Sequence, residues 1–236
     1  MIRLYLSSPL RLNEPVLLSV EQYHYLCHVM RLKTTDSLLC FNGTDGEWEM
    51  CIQETGKKQW HVIPKKQTRK QNSVPFCALC PALIKKDNFD WILQKATELN
   101  VSDIYPLKLA HSVLSALNMQ RAESILIEAA EQSERLTVPH LHPVMDLKTF
   151  LQQIPEDADL YYLSEREATV SKTTLSKQVA FIIGPEGGFA PEELHLLSAQ
   201  KRAHMVHFPA TILRAETAAI AILSCWQLSR FTPQKK

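Results

Sequence analysis

Near its start the chain alternates apolar and polar residues in short runs. Arg3-Leu-Tyr-Leu6 alternates, Asp36-Ser-Leu-Leu-Cys-Phe41 ends apolar, Glu47-Trp-Glu-Met-Cys-Ile52 alternates again, and Trp60-His-Val-Ile63 follows. A period of two predicts strands. Asn42-Gly43 and Asp45-Gly46 supply turn chemistry between two of them. Glu21 to Met30 is the one helix expected in this part. Several short strands with turn signals predict a small β-barrel. Pro64-Lys-Lys-Gln-Thr-Arg-Lys-Gln-Asn72 is polar and basic, without large apolar side chains. It reads as a solvated linker, with the domain boundary inside it.

After Val74 the pattern changes. Pro75–Ile84 is an apolar run of strand length. Asp87 is placed to cap a helix whose apolar positions, Phe89, Ile92, Leu93, Ala96 and Leu99, keep helical spacing. Further strands are expected at 103–107, 160–163, 179–183 and 205–208. Helices are expected at about 120–135, 192–200 and 216–228. Strands alternating with helices predict a parallel sheet covered by helices, an α/β domain.

A chain of 236 residues can bury one large core or two smaller ones. No apolar run approaches the ~18 residues of a membrane span, and the N-terminal residues lack the pattern of a signal peptide. A cytoplasmic protein without membrane association is the expectation. The net charge of +1 conceals an asymmetry: residues 1–73 hold 10 basic and 7 acidic side chains, the remainder 16 and 18. A mildly basic N-terminal third suits a phosphate-rich partner. Cys77-Ala-Leu-Cys80 is a CxxC, but no second pair stands at metal-site spacing and both lie in a strand-like apolar run. Residues three apart on a strand face opposite ways, so these are read as buried apolar cysteines and no metal is expected.

Three of the six glycines fall in Gly184-Pro-Glu-Gly-Gly188, between an expected strand and an expected helix. Glycine lets a ligand approach the main chain closely. The segment matches neither the Walker A pattern nor the dinucleotide fingerprint. Glu192 and Glu193, behind Pro191, suit the positive end of a helix and disfavour phosphate there. A ligand without phosphate is expected. Leu213-Arg-Ala-Glu-Thr-Ala218 opens an alanine-rich final helix, where Arg214 can hold an anionic or polarised group. Glu128-Ala-Ala-Glu-Gln-Ser-Glu-Arg135 places Glu131, Gln132 and Arg135 on one helix face.

Phe181-Ile-Ile-Gly-Pro-Glu-Gly-Gly-Phe189 and Leu213–Ala218 resemble the two C-terminal signatures of the RsmE-type ribosomal RNA methyltransferases of the SPOUT superfamily. His28-Val-Met-Arg-Leu-Lys33, Phe41–Trp48, and Gln94–Leu99 with Glu128–Arg135 are also similar, in order from about Tyr23 to Leu228. The resemblance implies a PUA-like β-barrel that binds RNA (residues 1–70). A parallel α/β methyltransferase domain with a trefoil knot would follow (residues 74–236). It implies S-adenosyl-L-methionine (SAM) as methyl donor, N3 of a uridine in 16S rRNA as acceptor, free or in the small ribosomal subunit, and a homodimer. By the same resemblance Ile183, Gly184, Gly187, Gly188, Phe208 and Leu213 would bind the cofactor. Arg214 and Glu216 would be catalytic, with Arg31, Lys33, Asn42 and Arg135 on RNA. Trp48, read first as core, and the 65–70 run are further RNA candidates. The chain departs from the family pattern where it reads Ala110-His111-Ser112 for Glu-Arg-Ser, and Phe208-Pro-Ala-Thr211 for a segment containing Gly-x-Arg. Each departure removes a basic residue, at His111 and Thr211. Another SPOUT RNA methyltransferase, or a non-catalytic RNA-binding assembly factor, remains an alternative.

Overall fold

A computed structural model describes residues 1–34, 36–55, 59–163, 178–208 and 212–230. Its contacts divide the chain into two compact units. One comprises 1–73 with 130–138, the other 74–129 with 139–236.

The first unit is a five-stranded sheet in the order β1-β3-β4-β5-β2. Its strands are β1 (Arg3–Tyr5), β2 (Val16–Leu17), β3 (Ser37–Phe41), β4 (Glu47–Thr55) and β5 (Gln59–Arg69). β1 runs parallel to β3, and the other pairings are antiparallel. Gly43 and Gly46 have φ of 86° and 76°, as the β3–β4 turn requires. A Cβ on Gly46 would stand 2.2 Å from the Arg69 carbonyl, so only glycine fits there. The helix between β2 and β3 is α1 (Val20–Tyr23), continued by a π-helical turn at His24–Val29. Ser19 caps α1 in a reciprocal box with Gln22. Leu4, Leu26, Leu38, Met50, Ile52 and Val62 form the core.

The basic segment expected to be a linker is ordered. Residues 64–69 extend β5, pairing with β4 down to Glu47↔Arg69. On its other side the Pro64 carbonyl accepts from the Asn13 N–H at 2.9 Å, and no strand pairs with residues 65–69 there among the described residues. Its side chains from 65 onward are exposed. Main-chain pairing and polar side-chain bonds from Gln67, Thr68 and Arg69 hold the strand, and no apolar alternation announces it.

The second unit is a fully parallel six-stranded sheet, β11-β9-β10-β6-β7-β8. Its strands are β6 (Cys77–Pro81), β7 (Asp103–Ile104), β8 (His140–Leu141), β9 (Asp159–Leu163), β10 (Val179–Ile183) and β11 (Ala203–Val206). The helices are α2 (Lys86–Glu98), α3 (Met119–Gln132), α4 (Leu147–Gln153), α5 (Pro191–Ser198) and α6 (Ala215–Ser229). Every residue of β6 and β10 is buried, which explains their unbroken apolar runs. Cys77 and Cys80 are buried with them, and burial pushes the Cys80 thiol well above its ordinary range. In α2 the cap is Lys85, in extended conformation. Asp87 falls in the first turn, where its charge still complements the helix dipole. Phe89, Ile92, Leu93 and Ala96 are buried as their spacing predicts. Among the described residues no helix is long and apolar enough to cross a membrane.

Candidate functional site

In an open α/β sheet ligands bind at the carboxyl ends of strands, where neighbouring connections leave in opposite directions. That point lies between β10 and β6. The chain leaves β6 for β7 on one side and leaves β10 for β11 on the other. Ile183, the last residue of β10, is in register with Pro81 and with Leu163, and its carbonyl accepts from the Ala82 N–H at 2.9 Å. Gly184 follows directly, so the glycine cluster sits at the crossover.

The loop is tightly built. Gly188 has φ of 72° and donates its N–H to the Pro185 carbonyl at 2.8 Å. A Cβ on Gly184 would lie 3.0 Å from the Phe189 ring, and one on Gly187 3.0 Å from His111 Cβ. His111 Nδ1 donates to the Gly188 carbonyl at 3.0 Å. Glu193 accepts from the Ala110 N–H and the Ala190 N–H, both at 2.8 Å. Its carboxylate therefore ties two loops together, besides favouring the start of α5. The turn carrying His111 hangs from the end of β6: Val113 and Leu114 donate to the Leu83 carbonyl at 2.8 and 3.1 Å. Among the described residues the N–H groups of Glu186 and Gly187 have no partner. They stand as free main-chain donors at the crossover.

A second loop leaves the same end of the sheet. β11 ends at Val206, in register with Leu163. Phe208 and Leu213, on either side of the undescribed 209–211, are half-buried; Thr211 lies outside the described residues. Arg214 is the N-cap of α6, and its carbonyl accepts from the Ala218 N–H at 2.8 Å. Its side chain is exposed. Glu216 stands in the first turn, where the helix dipole favours a carboxylate. Its Oε2 is buried without a donor among the described residues. No hydrogen bond or ion pair joins Arg214 to Glu216 among the described residues. Ala215, Ala218 and Ala219 are buried, and these small side chains let α6 lie close on β10 and β6, beside α2.

Ile183, Gly184, Gly187, Gly188, Phe208, Leu213, Arg214 and Glu216 thus belong to two loops at one end of the sheet. His111, expected only as a lost basic residue, joins them. The signal for it lay in its neighbour: Gly187 lacks the Cβ that would collide with it.

The RNA candidates lie in the first unit. Arg31 (φ 59°) and Lys33 are exposed, and Lys65, Lys66 and Lys70 are exposed along and just beyond β5. Two others are turned to internal use. The Asn42 amide donates to the Ser8 carbonyl and Asp45 Oδ2, while its oxygen accepts from the Thr44 and Asp45 N–H groups. Arg135 is 8% exposed and donates to Thr137 Oγ1 at 3.0 Å. Both side chains therefore also serve the structure of the first unit. Trp48 is half-buried against the core, with its indole N–H on the Asp45 carbonyl.

Residues 70–227 match a family described as RNA methyltransferase domain, and residues 18–65 one described as RNA methyltransferase PUA domain. Ribosomal RNA small subunit methyltransferase E of Rickettsia conorii is 34% identical, over 94% of this chain and 93% of that protein. The Bacillus subtilis protein of the same name is 28% identical, over 86% of each. Among solved structures, a methyltransferase of Legionella pneumophila with bound SAM superposes with a TM-score of 0.86 at 28% identity, covering 97% of both chains. Ribosomal RNA small subunit methyltransferase E of Neisseria gonorrhoeae, also bound to SAM, gives 0.83 at 25% identity and the same coverage. With a parallel sheet, a glycine loop at its crossover and relatives matched along nearly their whole length, the chain belongs to the ribosomal RNA small subunit methyltransferase E family of RNA methyltransferases.

Proposed function

We propose that this protein methylates N3 of a uridine in 16S rRNA, giving 3-methyluridine, with SAM as methyl donor. The glycine loop at the β10–β6 crossover carries the reading. Free N–H groups at Glu186 and Gly187 suit the polar edges of a ligand without phosphate. The half-buried Phe208 and Leu213 offer apolar surface to a ring. SAM, when bound, supplies an electrophilic methyl group. The residues of this chain supply the rest. Ile183, Gly184, Gly187, Gly188, Phe208 and Leu213 hold the cofactor, chiefly by main chain. Arg214 stabilises the negative charge that develops on the uracil oxygens. Glu216 accepts the N3 proton through a buried oxygen that lacks a donor.

The first unit binds RNA through Arg31, Lys33 and the exposed lysines of 65–70, so residues 1–70 and 74–236 divide RNA capture from chemistry. The α/β domain carries a trefoil knot. The enzyme acts as a cytoplasmic homodimer, with the cofactor site near the subunit interface. The test is in vitro: purified protein, SAM and unmodified small-subunit rRNA, free or within subunits, followed by nucleoside mass spectrometry. A new 3-methyluridine supports the reading, and methylation at another atom or in another RNA overturns it.

A further inference from the structure

His111 meets the glycine loop in two ways, and its neighbour Ala110 is anchored beside it. Its Nδ1 lies 3.0 Å from the Gly188 carbonyl. Its Cβ and Cγ stand 3.0 and 3.2 Å from where a Gly187 Cβ would be. Its neighbour Ala110 is tied through Glu193 to Ala190. A carbonyl only accepts, so Nδ1 carries the proton. The neutral Nδ1–H tautomer and the imidazolium both make this bond. The ring thus fills the space left by the missing side chain of Gly187 and fixes the next carbonyl. Gly188 itself has φ of 72°, a Cβ on it would meet nothing within 4 Å, and no side-chain packing of its own holds it.

We propose that His111 is a positioning residue, which holds Gly187 and Gly188 in the geometry that receives the methyl donor. The inference rests on the cofactor reading above. It assigns to an imidazole, clamped from the end of β6, the rigidity that a main-chain site needs.

The test compares wild type with His111→Phe, which keeps a planar ring but no donor, and His111→Asn, whose amide N–H can occupy the place of Nδ1–H. Calorimetry with SAM alone reads affinity. His111→Phe is expected to raise Kd about five- to tenfold, the worth of one hydrogen bond, and His111→Asn to stay within about twofold. In turnover the loss falls on KM for SAM, with kcat at saturation unchanged. Hydrogen exchange without SAM provides an independent arm: amides of residues 186–189 exchange faster in His111→Phe, while those of β6 and β10 do not. Wild-type affinity and exchange in His111→Phe overturn the proposal. A wild type that binds no SAM, with faster loop exchange in the variant, overturns the cofactor reading and leaves the clamp.

Discussion

Arg3 offers the sharpest test of how the first unit is held together. Its side chain is buried, with Nε on Glu47 Oε2 at 2.8 Å. Nη1 donates to the carbonyls of Ala130 and Glu131 at 3.1 and 3.2 Å, Nη2 to that of Arg135 at 2.8 Å. The guanidinium also lies 4.5 Å from the centre of the Phe41 ring. Arg3→Met keeps the volume and removes all four hydrogen bonds. Glu47, 4% exposed, is left with Thr68 Oγ1 and a more distant Arg69 at 3.7 Å. Breaking a buried pair on one side costs about 3–5 kcal/mol. The remaining Arg69 and Thr68 soften this, so we take the lower end, about 3 kcal/mol. That corresponds to about a hundredfold faster exchange of the protected amides of β3 and β4 in native-state hydrogen exchange. Adding Glu47→Met removes the stranded charge, and the double variant regains at least about 1 kcal/mol of this loss. A loss below about 1 kcal/mol in Arg3→Met, or a double variant no better than the single, refutes the reasoning.

Gly187→Val forces a side chain into His111, and calorimetric SAM binding is expected to vanish while the protein remains folded by circular dichroism. Arg214→Ala alters an exposed side chain, so stability stays within about 0.5 kcal/mol. Turnover falls at least about a hundredfold with SAM affinity intact, and near-normal turnover removes Arg214 from the chemistry. Burial alone would raise the Asp103 carboxyl. The bonds from His142 at 3.0 Å and Ser102 at 2.6 Å outweigh it and hold that carboxyl below its ordinary value. A group depressed in the folded state contributes stability above its unfolded pKa and loses it as pH falls through the folded one. Thermal melts below about pH 4 should therefore fall more steeply for wild type than for Asp103→Asn, and equal slopes contradict the assignment.

What was legible in the sequence follows from what is local. β6, β9 and β10 are buried in a parallel sheet and so appear as apolar runs. The glycines of 184–188 and the turn glycines 43 and 46 declare backbone conformations that other residues resist. The polar end of β5 gave no such signal, because main-chain pairing and polar side-chain bonds, not apolar burial, define it. The short β8 and α4 were equally silent. The roles of Arg3, Asn42 and Arg135 depend on partners fixed by the fold, and for Arg3 these lie more than 120 residues away. No periodicity records such contacts. Residues 130–138, which begin in the last turn of α3 and run past its end at Gln132, are counted with the first unit for the same reason: Arg3 and Tyr5 bind there. The place of His111 was hidden likewise, until the sheet brought the end of β6 beside that of β10.

The central claim is tested most directly by mass spectrometry of 16S rRNA from a strain lacking this protein and from the same strain with it restored. The account predicts one 3-methyluridine that is absent without the protein, returns with wild type, and does not return with Arg214→Ala. A 3-methyluridine content that is the same in all three contradicts it.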